Sequence, residues 1–96
     1  MLLDDLWEGE MAGVRIDTTS VLLVNVDGDV HAYENRCPHQ AWALDVGEFD
    51  GDRIICTRHL WEFDSRSGAG ISPADCRLKS FRCRVDSDGV IRVVLP

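Results

Sequence analysis

The sequence predicts an all-β fold, an antiparallel β-sandwich or partial barrel. Three observations carry this: strand-type runs outnumber helical ones, they are short, and Gly, Asp and Ser join them. Residues 3–11 hold material for one helical turn and no more. Residues 20–26 (SVLLVNV) form the strongest strand, rich in branched side chains that pack well on a pleated surface. Asp27-Gly28 follows, a pair that tolerates the positive φ angles of a tight hairpin, and residues 30–33 are its return strand. A second such pair, Asp50-Gly51, precedes the apolar run Ile54-Ile55-Cys56. Residues 80–85 alternate strictly, with Phe81, Cys83 and Val85 on one face and Arg82 and Arg84 on the other. The turn Asp86-Ser87-Asp88-Gly89 then leads into residues 90–95, which close another hairpin.

Length and charge narrow the function. The 96 residues fit a single domain over 1–96, with 45% of side chains hydrophobic. Seventeen acidic side chains against 10 basic ones give a net charge of -7, which excludes the basic stripe that nucleic-acid binding needs. Such a surface suits docking to a basic protein, with steering that weakens as salt rises. Asp4 and Asp5 follow Met1-Leu2-Leu3 directly, so no secretory signal is expected, and no apolar run is long enough to span a membrane. The expected location is the cytoplasm, where thiols stay reduced. Closely spaced cysteines there are metal ligands or reactive groups before they are disulfides.

Two stretches, residues 35–49 and 57–75, lack clean alternation and carry most of the tryptophan and proline, with Gly47, Gly68 and Gly70. They also hold Trp42, Leu44, Phe49, Leu60, Trp61 and Phe63, too much apolar bulk for disorder, so they should be ordered around something. Cys37-Pro38-His39 opens the first and Cys56-Thr57-Arg58-His59 the second, a pattern C-x-H-x16-C-x2-H. Each half supplies one thiolate and one imidazole from a single turn, which makes Cys37, His39, Cys56 and His59 the candidate metal ligands. Two cysteines and two histidines also suit tetrahedral zinc. Zinc fingers, however, pair like with like, whereas here each loop is mixed. Mixed pairing is what a Rieske [2Fe–2S] centre needs, where two imidazoles replace two thiolates on one iron.

The segment resembles the Rieske iron–sulfur domain signature. That resemblance implies Cys37 and Cys56 on one iron, His39 and His59 on the other, and a two-loop cluster-binding subdomain over about 35–75 on the sandwich. Pro38 would fix the backbone between the first loop's ligands, and Gly68, Gly70 and Pro73 resemble the loop that covers the cluster. High-potential members carry a disulfide between the loops and hydroxyl donors to the cluster sulfurs. At the matching positions stand Trp42 and Arg58, and Trp61 and Phe63, so a low-potential, ferredoxin-type centre is expected.

The stretches Cys37-Pro38-His39-Gln40, His59-Leu60-Trp61 and Gly68-Ala69-Gly70-Ile71-Ser72-Pro73, with Asp75-Cys76 and the N-terminal Asp4-Asp5-Leu6-Trp7-Glu8-Gly9-Glu10-Met11, look like the ferredoxins of toluene and alkene monooxygenase systems. The resemblance implies one [2Fe–2S] cluster per chain and a monomeric one-electron carrier, not an enzyme. Its transient partners would be an NADH-dependent flavin reductase and a diiron hydroxylase. Ferredoxins of aromatic ring-hydroxylating dioxygenases share the ligand pattern. A nitrite-reductase small subunit and a structural zinc module are further alternatives.

The other chemistry-bearing residues have simpler expected roles. Cys83 should be a buried core thiol, Cys76 should pack beneath the cover loop, and no disulfide should join them. His31 should be a surface or satisfied histidine. Gln40 and Trp61 adjoin ligands and suit partner docking or loop packing. Two acidic groups stand out, one of Asp4, Asp5, Glu8 and Glu10 and another of Asp45, Glu48, Asp50 and Asp52. The second lies between the ligand pairs, so a role in docking is expected of it.

Overall fold

The structure is a computed structural model and describes residues 2–38, 42–56, 60–72 and 76–95. Nine strands among the described residues form two antiparallel sheets. The larger has the order β1 (Met11–Ile16), β2 (Thr19–Val26), β3 (Asp29–Glu34), β8 (Ser80–Val85) and β9 (Ile91–Val94). The smaller runs β4 (Glu48–Phe49), β5 (Arg53–Cys56), β6 (Trp61–Asp64) and β7 (Gly70–Ser72), and lies in sequence wholly between β3 and β8.

Strand β2 is the axis. Residues 21–26 are all buried because the strand has a core on each face. Leu22, Val24 and Val26 join Tyr33, Cys37, Leu44, Ile54, Cys56, Phe63 and Leu78 in a core shared between the two sheets. Val21 and Leu23 face the other way, toward Leu6, Ala32 and Ile91. The predicted β2–β3 hairpin is present, with Asp27 and Gly28 both at positive φ (53° and 95°), the conformation of a type I′ turn. The Asp50-Gly51 pair makes the β4–β5 turn, and the β8–β9 hairpin closes at Gly89 (φ 79°).

Several elements differ from the sequence expectation. The short helical turn expected in residues 3–11 is present as a 3-10 turn at Leu3–Asp5, but Met11 begins a strand the sequence did not announce, β1. That strand escaped notice because its turn, Asp17-Thr18, has no glycine; Asp17 itself takes φ 55°. Gly13 stands within it because the Asp45 carboxylate and the Asn35 amide sit where a Cβ would point. The stretches 35–49 and 57–75 contain β4, β6 and β7, too short to show a two-residue period. Val85 lies at its strand's end and is exposed, unlike Phe81 and Cys83 on the same face. Among the described residues no helix is long and apolar enough to cross a membrane.

Candidate metal centre

The two predicted cysteine ligands are brought into one core. Cys37 is 2% exposed and Cys56 1%, both belong to the cluster between the sheets, and neither forms a disulfide. His39 and His59 lie outside the described residues, as do Gln40, Arg58 and Pro73. Among the described residues no group of three or more His, Cys, Asp or Glu converges elsewhere as a metal site.

Each cysteine opens a loop that a tryptophan closes. The Cys37 N–H donates to the Trp42 carbonyl at 2.8 Å. Cys56 ends β5 directly opposite Trp61, the first residue of β6. The intervals 37–42 and 56–61 are equal, and each encloses one of the predicted histidines. The second loop carries a strained backbone at Leu60, a non-glycine residue at φ 57° whose side chain is 68% exposed. Two free cysteines in one apolar core are sulfur donors that a metal takes up as thiolates, its own charge offsetting theirs. The donor set therefore fits an iron centre held by Cys37 and Cys56.

Asn35, which the sequence reading left without a role, anchors the first loop. It is 8% exposed, and its Oδ1 accepts from the N–H groups of Leu44 (2.8 Å) and Asp45 (2.9 Å). Its Nδ2 donates to Ser20 Oγ (3.1 Å) and Asp45 Oδ1 (3.0 Å), and its backbone N–H to the Ser20 carbonyl (3.0 Å). One amide thus pins the loop's return segment to β2. The only prior signal was that asparagine favours such backbone-mimicking bonds. Gly47 completes the seam: a Cβ there would lie 2.2 Å from the Ile55 carbonyl oxygen.

The sheets are also tied at their other end. Tyr33 Oη donates to the Ser65 carbonyl at 2.7 Å, and Gly68 (φ 78°) passes so close to the Tyr33 ring that a Cβ would sit 2.8 Å from Cε1. Burial pushes the Tyr33 phenol up to about 12, Asp64 and Cys83 add to the shift, and Arg77 opposes it. Arg66 reaches from the smaller sheet to Asp27 at 2.8 Å.

The outlying residues divide. Cys83 is half-buried rather than fully buried, its Sγ donates to the Val30 carbonyl at 3.1 Å, and burial raises its thiol pKa. Cys76 packs against the core between the sheets and Cys83 against the opposite core, so both are free. His31 departs from expectation: it is partly buried, and its Nε2 is enclosed without a hydrogen-bond partner among the described residues. Half of the second acidic group is structural. Asp45 accepts from Asn35, while Asp50 caps its turn with the Arg53 and Asp52 N–H groups, which together with the Arg53 guanidinium hold its carboxyl below the usual range. Glu48 and Asp52 remain exposed.

Known proteins align with this arrangement over nearly its whole length. The model of the Rieske [2Fe–2S] domain matches residues 1–82. The ferredoxin component of the alkene monooxygenase system of Xanthobacter autotrophicus is 41% identical over 93% of this chain and 74% of that protein. The ferredoxin of carbazole 1,9a-dioxygenase from Nocardioides aromaticivorans superposes with a TM-score of 0.86 at 30% identity, over 97% of this chain and 91% of that one. A ferredoxin solved in complex with its carbazole 1,9a-dioxygenase oxygenase gives 0.85 at 28% identity, over 96% and 86%.

Proposed function

The chain belongs to the Rieske [2Fe–2S] domain family, and from that premise we propose that it is the one-electron carrier of a multicomponent hydrocarbon monooxygenase. It takes electrons singly from an NADH-dependent flavin reductase and passes them to a diiron hydroxylase of the toluene or alkene type. It performs no substrate chemistry of its own and works as a cytoplasmic monomer with transient partners. The observation that carries the reading is the pair of unbridged thiols, Cys37 and Cys56, buried in one core and each opening a loop of the same span. The identity to the alkene monooxygenase ferredoxin component supports the choice of system. The likeness to carbazole dioxygenase ferredoxins supports a second reading, delivery to a ring-hydroxylating dioxygenase.

Bound to the chain, a [2Fe–2S] cluster supplies one reversible electron at a potential within about -150 to +300 mV. The residues set what surrounds that electron. Cys37 and Cys56 would hold one iron and His39 and His59 the other. Phe63, wholly buried, brings no hydroxyl to this core, so one donor that would stabilise the reduced form is missing and the potential falls in the lower part of the range.

The test uses the purified, cluster-loaded protein with the reductase and oxygenase proteins encoded beside it. A red-brown protein with rhombic EPR signals on reduction, and turnover that needs this chain, supports the reading. A colourless protein with one zinc per chain overturns it. Turnover only with dioxygenase subunits replaces the monooxygenase, and a redox titration high in the range refutes the low-potential assignment.

A further inference from the structure

An apolar cleft of about 450 Å3 opens beside the N-terminal turn, lined by Leu3, Leu6, Trp7, Asn25 and Gly28, with Asp4 and Glu8 at its rim. Trp7 is the most exposed large apolar side chain among the described residues, at 72%. It is nonetheless held in place. Its indole Nε1–H donates to the Asp4 carbonyl and its backbone N–H to Glu10 Oε1, both at 2.8 Å. A rigid aromatic with its polar hydrogen already satisfied loses little freedom and strips little water when a partner covers its face.

The surrounding charge specifies the partner. Asp4, Asp5, Glu8 and Glu10 stand before the first basic residue of the chain, Arg15. Among the described residues none of these four forms an ion pair, whereas Asp50, Asp86 and Asp27 all pair with arginines. Asp4 and Glu8, which line the cleft, are therefore uncompensated among the described residues, and a cationic surface gains from meeting them.

The cleft also lies apart from the electron path. Its Asn25–Gly28 wall is the turn end of the β2–β3 hairpin, and the first cysteine loop leaves from the opposite end of β3 beyond Glu34, roughly 20 Å along the strand. A protein bound here leaves the loops free to turn toward a redox centre.

We propose that this cleft is a second docking site, distinct from the cluster loops, for one protein component of the electron-transfer system. That component presents lysines or arginines around a projecting apolar side chain, which seats against Trp7. The inference rests on the electron-carrier reading, and it makes the contact a tether rather than an electron-transfer interface.

The test measures binding of the full, cluster-loaded chain to the immobilised reductase and oxygenase proteins encoded beside it, at low and at physiological salt. Trp7→Ala should weaken binding to one of them by roughly tenfold or more, Trp7→Phe should retain most of it, and kcat at saturating ferredoxin should not change. Neutralising the two carboxylates that line the cleft (D4N and E8Q together) should flatten the salt dependence. Unaltered binding of Trp7→Ala to both components overturns the proposal. So does a concentration-dependent dimer that Trp7→Ala dissociates, because the occupant is then a second copy. An unaltered salt dependence in the neutralised chain removes the cationic partner and with it the proposal. EPR and reduction of the wild-type protein report separately on the electron-carrier reading, which fails only if those fail.

Discussion

The loops 37–42 and 56–61 are alike in span and in their cysteine and tryptophan ends, yet they are held by different means. The second is the tip of a hairpin: β5 and β6 pair through four residue pairs, and Cys56 and Trp61 are the last of them. In the first, among the described residues, a backbone bond runs from the Cys37 N–H to the Trp42 carbonyl, and behind it the Asn35 side chain gathers Ser20, Leu44 and Asp45. A ladder distributes its support over many peptide groups, so few side chains in it are individually needed. A buried amide with four side-chain hydrogen bonds concentrates much of a loop's support in one residue.

Substitutions can break or sharpen that contrast. The largest effect is expected where the two regions abut. Gly47→Ala places a Cβ against the Ile55 carbonyl, a backbone atom that cannot swing away, and should cost more than about 4 kcal/mol in urea unfolding. Asn35→Ala comes next. It orphans the buried Leu44 N–H and removes the loop's main anchor, so about 3 kcal/mol should be lost and iron content after purification should fall. If iron content and stability hold, the first loop is not supported as described. Asn35→Asp is the sharper form, since it keeps the acceptor but sets a carboxylate beside Asp45.

Tyr33→Phe should cost about 1 kcal/mol, because the Ser65 carbonyl loses its donor. It also carries a pH signature. The phenol's folded pKa lies above its unfolded value near 10.0, so its contribution is complete below that pH and disappears as pH rises through about 12. Urea midpoints measured across this window should decline in the wild type through this residue, and Tyr33→Phe should lack that part of the decline. The smallest effect belongs to the second loop's hairpin. Arg53 bridges Asp50 and Glu62 at the surface, and Arg53→Ala should leave the melting temperature and the iron content at wild-type values.

Legibility in the sequence followed the same division. Where geometry is dictated by backbone chemistry, a local signature exists: Asp27-Gly28, Asp50-Gly51 and Asp86–Gly89 each announced a turn that the structure contains. The alternation of Phe81 and Cys83 announced the face that β8 buries. The spacing of Cys37 and Cys56 identified two residues that the fold places in one core. What stayed hidden depends on partners far along the chain. Asn35 looks like any loop asparagine until Leu44 and Asp45 return to it. Gly13 looks like a strand defect until Asp45 occupies its missing side-chain volume. His31 sits in a hairpin strand with nothing in its neighbours to announce that its Nε2 would be enclosed. Strands of two to four residues, such as β4 and β7, carry too few positions for any period to register.

The smaller sheet lies entirely between β3 and β8, which pair with each other through Tyr33 and Ser80, and the chain enters and leaves it across one bond from the Glu34 N–H to the Lys79 carbonyl. This bears on the order in which the molecule assembles. Joining β3 to β8 from an open chain means closing a loop of the whole intervening segment, the slow kind of contact. If that segment has already folded, its two ends stand side by side and the closure is nearly complete. Metal capture by Cys37 and Cys56 would close the first part of that segment early and shorten the loop still to be closed. Refolding should then run faster with iron and sulfide present, and the β3–β8 pairing should be the last part of the larger sheet to form.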